Sequence, residues 1–185
     1  VAVATMVFLK LFRNDKRLAF TIWGMITFAV NFYVWLICSG TLETLCKAVG
    51  IDTSGRVKIY GQTVKWFEQE VLFLGNGLGI VEIILDAWNI KEFSNLHNDL
   101  LKFYIELGIV GLLLFLLSYG AMFFLIEKEF GDEKMCFFLV MTVYSIVLYA
   151  TDNVSIYILY LIPIYSIFFS VLAEKRKRIN TKDVT

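Results

Sequence analysis

The stretch that decides the fold is SNLHNDLLKFYIELGIVG, residues 94–111. It contains the only histidine of the chain, His97, and two acidic residues, Asp99 and Glu106, and it continues into an apolar run that ends at Ile126. Ionisable side chains at the edge of a membrane helix are costly, and they usually face a partner, a cavity or a substrate. The sequence therefore predicts that chemistry takes place where this polar segment meets the membrane.

The composition is typical of a membrane protein. The 185 residues are 58% hydrophobic and 16% aromatic, whereas ordinary soluble domains are roughly 45–50% apolar. The formal net charge is zero, and no basic patch alternates with aromatic residues, so no nucleic-acid partner is expected. We predict an all-α fold, a polytopic membrane helix bundle with a large, partly helical extracytoplasmic loop.

Four apolar runs are predicted to span the hydrocarbon core, which takes about 20 helical residues; they are Leu18–Cys38, Ile105–Ile126, Met135–Ala150 and Val154–Leu172. The predicted segments are a truncated helix, cytoplasmic turn and first full span (1–38), an extracytoplasmic loop with amphipathic helices (39–104), three spans (105–172) and a basic cytoplasmic tail (173–185). The clusters of basic residues beside the short connections fall on one side, which the positive-inside rule makes cytoplasmic. Because the first apolar run is short and begins at Val1, we expect a fragment whose first helix is cut.

Ser54-Gly55-Arg56, in the predicted outer loop, is expected to begin a helix. Ser54 is a favoured N-cap residue, and apolar residues at helical spacing continue to Glu70. A helix N-terminus offers unpaired N–H groups, and the planar guanidinium of Arg56 suits phosphate oxygens, such as those of lipid headgroups or polyprenyl pyrophosphates. In the competing interpretation, Arg56 only extends towards lipid headgroups as an anchor.

Two further patterns in the loop predict local structure rather than a binding or catalytic site. Gly75–Gly79 is predicted to be a turn and not a dinucleotide-binding loop, because its glycine spacing differs and no strand precedes it. Ile80–Trp88 is predicted to be a helix whose Glu82 and Asp86 form a solvated face rather than a catalytic carboxylate pair. The three cysteines lack metal-ligand spacing, and free apolar thiols are favoured over a disulfide.

His97 has two interpretations. A lone histidine at a membrane interface is commonly a structural hydrogen-bonding residue, but an imidazole can also take a proton from a sugar hydroxyl near neutral pH. At about 100° per residue, Asp99, Lys102 and Glu106 share one helical face. His97 joins that polar face only if the helix begins near Asn98, which would leave His97 in the cap.

The order of these motifs resembles the C-terminal part of the O-antigen ligase and O-antigen polymerase family. The similarity runs from Thr53 to Phe115, and its motifs are Ser54-Gly55-Arg56, Tyr60, Trp66, the Gly75–Gly79 turn, His97-Asn98 and Glu106 to Gly111. It implies a multi-pass enzyme of the cytoplasmic (inner) membrane with an extracytoplasmic active loop and a cytoplasmic C-terminus. Such an enzyme transfers glycan from a polyprenyl-pyrophosphate-linked donor without a nucleotide sugar.

The resemblance also assigns roles to individual residues. The pyrophosphate-binding candidates are Arg56, Ser54 and Gly55; the catalytic candidates are His97, Asp99 and Glu106; the glycan-stacking candidates are Tyr60, Trp66 and Trp88. In this scheme His97 activates the acceptor hydroxyl, while Asp99 and Glu106 support it. No cofactor and no metal is expected, since arginine can neutralise the leaving pyrophosphate.

Within such a family, we favour a polymerase that joins lipid-linked repeat units of capsule, O-antigen or exopolysaccharide. The alternative is a ligase that transfers finished glycan from the carrier lipid to another acceptor. A transporter or flippase fragment without catalysis is the more distant alternative, in which His97 and Asp99 would relay protons. The expected partners are the lipid-linked glycan donor and acceptor, the lipid bilayer, and a chain-length regulator or a flippase.

Overall fold

The structure is a computed structural model that describes residues 16–67, 73–87 and 96–152, together with residues 162, 166, 169, 170 and 173. This described part contains helices and no strand. The helices are α1 (Lys16–Cys38), α2 (Thr41–Val49), α3 (Arg56–Trp66), α4 (Ile80–Ala87), α5 (Asp99–Phe130) and α6 (Asp132–Thr151). The prediction of an all-helical chain is confirmed for these residues.

Two helices are long and apolar enough to cross a membrane. They are α1, over Arg17–Cys38 with a mean hydropathy of 1.6, and α5, over Asp99–Phe130 with a mean hydropathy of 2.5. The first two predicted spans lie inside them. The apolar part of α6, Met135–Thr151, is shorter, and the fourth predicted span lies largely outside the described residues, as does the tail.

The segment between α1 and α5 contains the three short helices α2, α3 and α4. Helix α3 begins at Arg56, one residue later than an N-cap at Ser54 would place it, because Gly55 is its N-cap and no side chain caps it. The expectation that Ser54 is the cap is therefore wrong. Ser54 and Gly55 both have a left-handed backbone, with φ of 50° and 78°, so that the chain turns sharply here, and the Ser54 N–H donates to a carboxylate oxygen of Asp52 at 2.8 Å.

Helix α3 ends at Trp66, and residues 68–72, into which it was predicted to continue, lie outside the described residues. Helix α4 matches the predicted helix to within one residue. The apolar faces of both helices pack against the end of α1 and the beginning of α5. The buried members of this cluster are Ile37, Val57, Ile59, Tyr60, Val81, Leu85, Leu96, Leu101 and Ile105.

By its contacts the chain divides into two compact units. The first comprises Val1–Gly24, Leu117–Ile146 and Val154–Thr185, and the second comprises Met25–Leu116 and Val147–Asn153. In the first unit, the Trp23 ring packs edge-on against Phe123, with ring centroids 4.9 Å apart, and Phe123 packs against Phe138 at 5.4 Å. The second unit holds every residue of the candidate site.

A break at Gly108 interrupts α5. Gly108 has φ 72° and ψ −177°, which is not helical. The carbonyl oxygens of Ile105 and Glu106 therefore accept hydrogen bonds from the N–H groups of Asn76 and Gly77, both at 3.0 Å, instead of from the next turn of the helix. The turn predicted at residues 75–79 thus packs against α5 at its break. This contact explains why the glycines of the turn and Gly108 occur in the same chain.

Gly108→Ala is expected to destabilise the full-length protein. The left-handed backbone costs a side-chain-bearing residue about 1–3 kcal/mol, and the added Cβ would also overlap the backbone of Phe73. Gly24→Ala in α1 is the matched control, because its Cβ meets no atom within 4 Å, and it should stabilise the helix by about 1 kcal/mol. Thermal unfolding in detergent measures both. Equal unfolding temperatures for the two variants would contradict this account of the break.

Candidate functional site

The N-terminus of α5 fixes the position of His97. The side-chain oxygen of the buried Asn98 accepts the N–H of Leu101 at 3.0 Å, and its carbonyl oxygen accepts the N–H of Lys102 at 3.0 Å. Asn98 is therefore the N-cap, and His97 lies just outside the helix. This is the position that was predicted for His97 if the helix began near Asn98. His97 has φ 52°, a left-handed backbone that is rare for a residue with a side chain.

Asp152, at the end of α6, is the side-chain partner of His97. One of its carboxylate oxygens lies 3.2 Å from Nδ1 of the imidazole. The hydroxyl of Tyr60 donates to the backbone carbonyl of His97 at 3.0 Å. A carboxylate on Nδ1 places the ring proton there and leaves the lone pair on Nε2, and among the described residues none bonds Nε2. The ring, which is 37% exposed, is thus arranged to accept a proton at Nε2.

Arg56 reaches the same end of α6. Its Nη1 donates to the carbonyl oxygen of Thr151 at 3.2 Å, a favourable position for a cation because carbonyl groups at a helix C-terminus carry partial negative charge. The hydroxyl of Tyr33 donates to the carbonyl oxygen of Ala150 at 3.1 Å. Three successive residues at the end of α6 therefore contact Tyr33, Arg56 and His97.

An open cleft of about 420 Å³ lies beside Arg56. We call it the arginine cleft, and the lining residues that matter are Tyr33, Asp52, Ser54, Arg56, Tyr60 and Thr151. A guanidinium carries five N–H donors, and Thr151 accepts from one of them. The exposed Arg56 can thus still present a pair of donors to an anion in the cleft.

Tyr60 interacts with both Arg56 and His97, through the charge of the arginine and through a hydrogen bond to the His97 carbonyl. Burial raises the pKa of Tyr60; the charge of Arg56 and a hydrogen bond with Asn98 lower it, and the charge of Asp152 raises it, for a net upward shift. The phenol therefore keeps its proton at neutral pH and can hold the carbonyl of His97. Tyr60 is 3% exposed and lines the arginine cleft.

Glu106 contacts the turn at residues 75–79. It is 4% exposed, and its carboxylate accepts the N–H of Gly79 at 2.9 Å, at the N-terminus of α4. A carboxylate there stabilises the helix, because its first N–H groups carry partial positive charge. Asp99, the other supporting candidate, is fully buried in the first turn of α5. Both positions suit a residue that holds the scaffold of the site.

Glu82 forms an ion pair with Lys102. The Glu82 side chain is 43% exposed and Asp86 is exposed, as expected for a solvated face, but the pairing of Glu82 with Lys102 was not predicted. Burial raises the pKa of Glu82, but the hydrogen bond and the charge of Lys102 outweigh it, so that the net pKa is lowered. The pair consequently contributes stability at neutral pH and loses it as the pH falls through the lowered pKa of Glu82.

Two of the glycan-stacking candidates, Trp66 and Trp88, remain. Trp66 is 59% exposed at the end of α3, and Trp88 lies outside the described residues. Within the part of the chain that is described, no three His, Cys, Asp or Glu residues are grouped to hold a metal ion. The residue that sequence reasoning missed is Asp152. Its only signal was an acidic residue in a short turn after an apolar run.

A family model described as O-antigen ligase matches residues 1–116, which is more than half of the 185 residues. The match includes Arg56, His97 and Glu106, and it ends before α6 and Asp152. Comparisons with curated proteins and with solved structures found no match.

Proposed function

This chain belongs to the O-antigen ligase family, and on that premise we propose that it acts as a membrane glycosyltransferase on glycans carried by polyprenyl pyrophosphate. The proposed reaction joins repeat units on the carrier lipid, at the outer face of the cytoplasmic membrane. One observation carries the proposal. Successive residues at the end of α6, Thr151 and Asp152, contact the guanidinium of Arg56 and the imidazole of His97, so an anion-binding group and a base share one site.

In the proposed reaction, a hydroxyl of the acceptor sugar attacks the anomeric carbon of the donor sugar. His97 accepts the hydroxyl proton at Nε2 as the new C–O bond forms, and Asp152 positions the ring by holding Nδ1. The bond between the donor sugar and the pyrophosphate breaks, and the leaving pyrophosphate keeps the electron pair. Arg56 neutralises the growing charge through paired N–H donors, a contact that strengthens in the transition state.

The choice between polymerase and ligase is tested by deleting the full-length gene and complementing it. Loss of long glycan chains while single repeats are still transferred indicates a polymerase, which is the outcome we expect. Full-length glycan that accumulates on its carrier lipid would indicate a ligase instead and would refute the polymerase.

The proposal places the segment between α1 and α5 outside the cytoplasm. In a cysteine-free full-length variant, a cysteine at Ala48 in α2 should react with a membrane-impermeant thiol reagent in intact cells, while one at Asp132, beyond α5, should not. The two positions flank the candidate span α5, and Ala48 is exposed. Labelling at Asp132 alone would reverse the orientation and move the proposed chemistry to the cytoplasmic face.

A further inference from the structure

A second cleft lies beside the same helix. We call it the lysine cleft; its volume is about 540 Å³, and its polar lining residues are Ser39, Glu43, Lys58, Gln62 and Lys65. Ligand sites commonly have volumes of about 300–1,000 Å³ and a few placed polar groups on an apolar floor. The floor here is formed by Ile37, Cys38 and Val64.

The two clefts lie on opposite sides of α3. At about 100° per residue, Arg56 and Tyr60, which line the arginine cleft, are on one face of the helix. Lys58 and Lys65, which line the lysine cleft, are on the other. The arginine in the first turn of α3 and the lysines that follow it therefore serve two separate cavities.

The lysine cleft favours an anion. Its only acidic residue among the described lining is Glu43, and Lys47 already pairs with that carboxylate at 2.7 Å. The hydrogen bond and charge of Lys47 lower the pKa of Glu43, and the charges of Lys65 and Lys58 act in the same direction. Once Glu43 is neutralised by Lys47, the two exposed ammonium groups of Lys58 and Lys65 remain for a ligand.

The position of the cleft indicates an amphiphilic ligand. Ile37 and Cys38 are the last residues of α1, a candidate membrane span, so a membrane crossed by α1 would end at the apolar floor of the cleft. A phosphate attached to a lipid can place its charge beside the lysines while its chain stays in the bilayer.

We propose that the lysine cleft binds a second lipid-linked phosphate, that of the acceptor substrate, on the side of α3 opposite to the donor. This inference rests on the proposed function. A transfer between two lipid carriers needs one phosphate site for the donor and one for the acceptor, so that both glycans reach His97. With Arg56 assigned to the departing pyrophosphate, Lys58 and Lys65 hold a phosphate that does not react. Lysines suit that task, since a point charge binds without the paired geometry that a leaving group requires.

The test is equilibrium binding of a radiolabelled polyprenyl monophosphate to the purified full-length protein in detergent. Wild type should bind two molecules per chain, and the double variant Lys58→Ala/Lys65→Ala should bind one, with affinity at the second site reduced about thirtyfold, or about fivefold for each lysine. Arg56→Lys should leave the lysine-cleft site intact. Lys58→Arg/Lys65→Arg should also keep it, which excludes misfolding as the cause of the loss.

The matched control, Arg17→Ala/Lys128→Ala, removes two exposed cations elsewhere and should bind like wild type. An equal loss in that control, or unchanged binding in Lys58→Ala/Lys65→Ala, would overturn the proposal. Competition identifies the source of the phosphate. Displacement at equal concentration by phosphatidylglycerol or by inorganic phosphate would overturn the assignment to a polyprenyl carrier. Because the readout is binding, it can fail while glycan transfer at Arg56 and His97 stands, and the reverse is also possible.

Discussion

His97→Ala is expected to lower glycan transfer by the full-length protein about 10²–10⁴-fold, the typical cost of losing a positioned general base. Protein abundance in the membrane should stay the same, because the fold uses the carbonyl and not the ring of His97 to hold Tyr60. Product formed from a lipid-linked repeat unit by membranes of equal protein content measures the effect. Wild-type product from His97→Ala would reduce the residue to a structural role.

Asp152→Asn separates positioning from catalysis. The amide cannot hold the imidazole in the same tautomer as reliably as a carboxylate does, and loss of such an orienting partner commonly costs about 10–100-fold in activity. We expect the loss in kcat with little change in KM, and we expect Asp152→Glu to recover part of it. A change in KM alone would mean that Asp152 contacts substrate or shapes its cavity rather than orienting His97.

Arg56→Lys is expected to lower transfer about ten- to a hundredfold. The exchange keeps the charge but removes the planar pair of donors, and a lost hydrogen bond to a charged group costs roughly 1.5–3 kcal/mol. The loss should appear mainly in kcat, since the pyrophosphate oxygens gain charge only as the bond to the sugar breaks. Rates measured with the same lipid-linked donor test this directly.

Arg17→Lys is the matched control for that variant, because it makes the same chemical exchange at another exposed arginine, near the N-terminus of α1. It should transfer glycan at the wild-type rate. Equal and mild effects of both exchanges would mean that Arg56 is one of several surface cations that only attract lipid headgroups. The phosphate-binding role of the arginine cleft would then be refuted.

The helices were predictable where local chemistry decides them. The apolar runs that become α1 and α5, and the apolar faces of α3 and α4, are periodic in the sequence. The N-terminus of α3 was misplaced because Ser54 has a strong N-cap preference. A left-handed Ser54-Gly55 pair and the Asp52 carboxylate override that preference locally. The break at Gly108 was not predicted, because it depends on a turn some thirty residues earlier in the chain.

The sequence could select candidate site residues, but it could not predict the contacts between them. Arg56 and His97 could be selected because an arginine at a helix start and a lone histidine before a span are unusual in local sequence. Their common contact with the end of α6 could not be predicted, because Asp152 is 55 residues after His97 and no sequence spacing relates the two residues. Lys102 likewise seemed part of one polar face with Glu106, whereas its ion pair is with Glu82 on α4.

The most direct test of the central claim follows the donor in a purified reaction of the full-length protein with a lipid-linked repeat unit. We predict that one polyprenyl pyrophosphate is released for each new glycosidic bond. In His97→Ala, bond formation and polyprenyl pyrophosphate release should be lost together. Bond formation without release of polyprenyl pyrophosphate, or transfer by His97→Ala at the wild-type rate, would contradict the account.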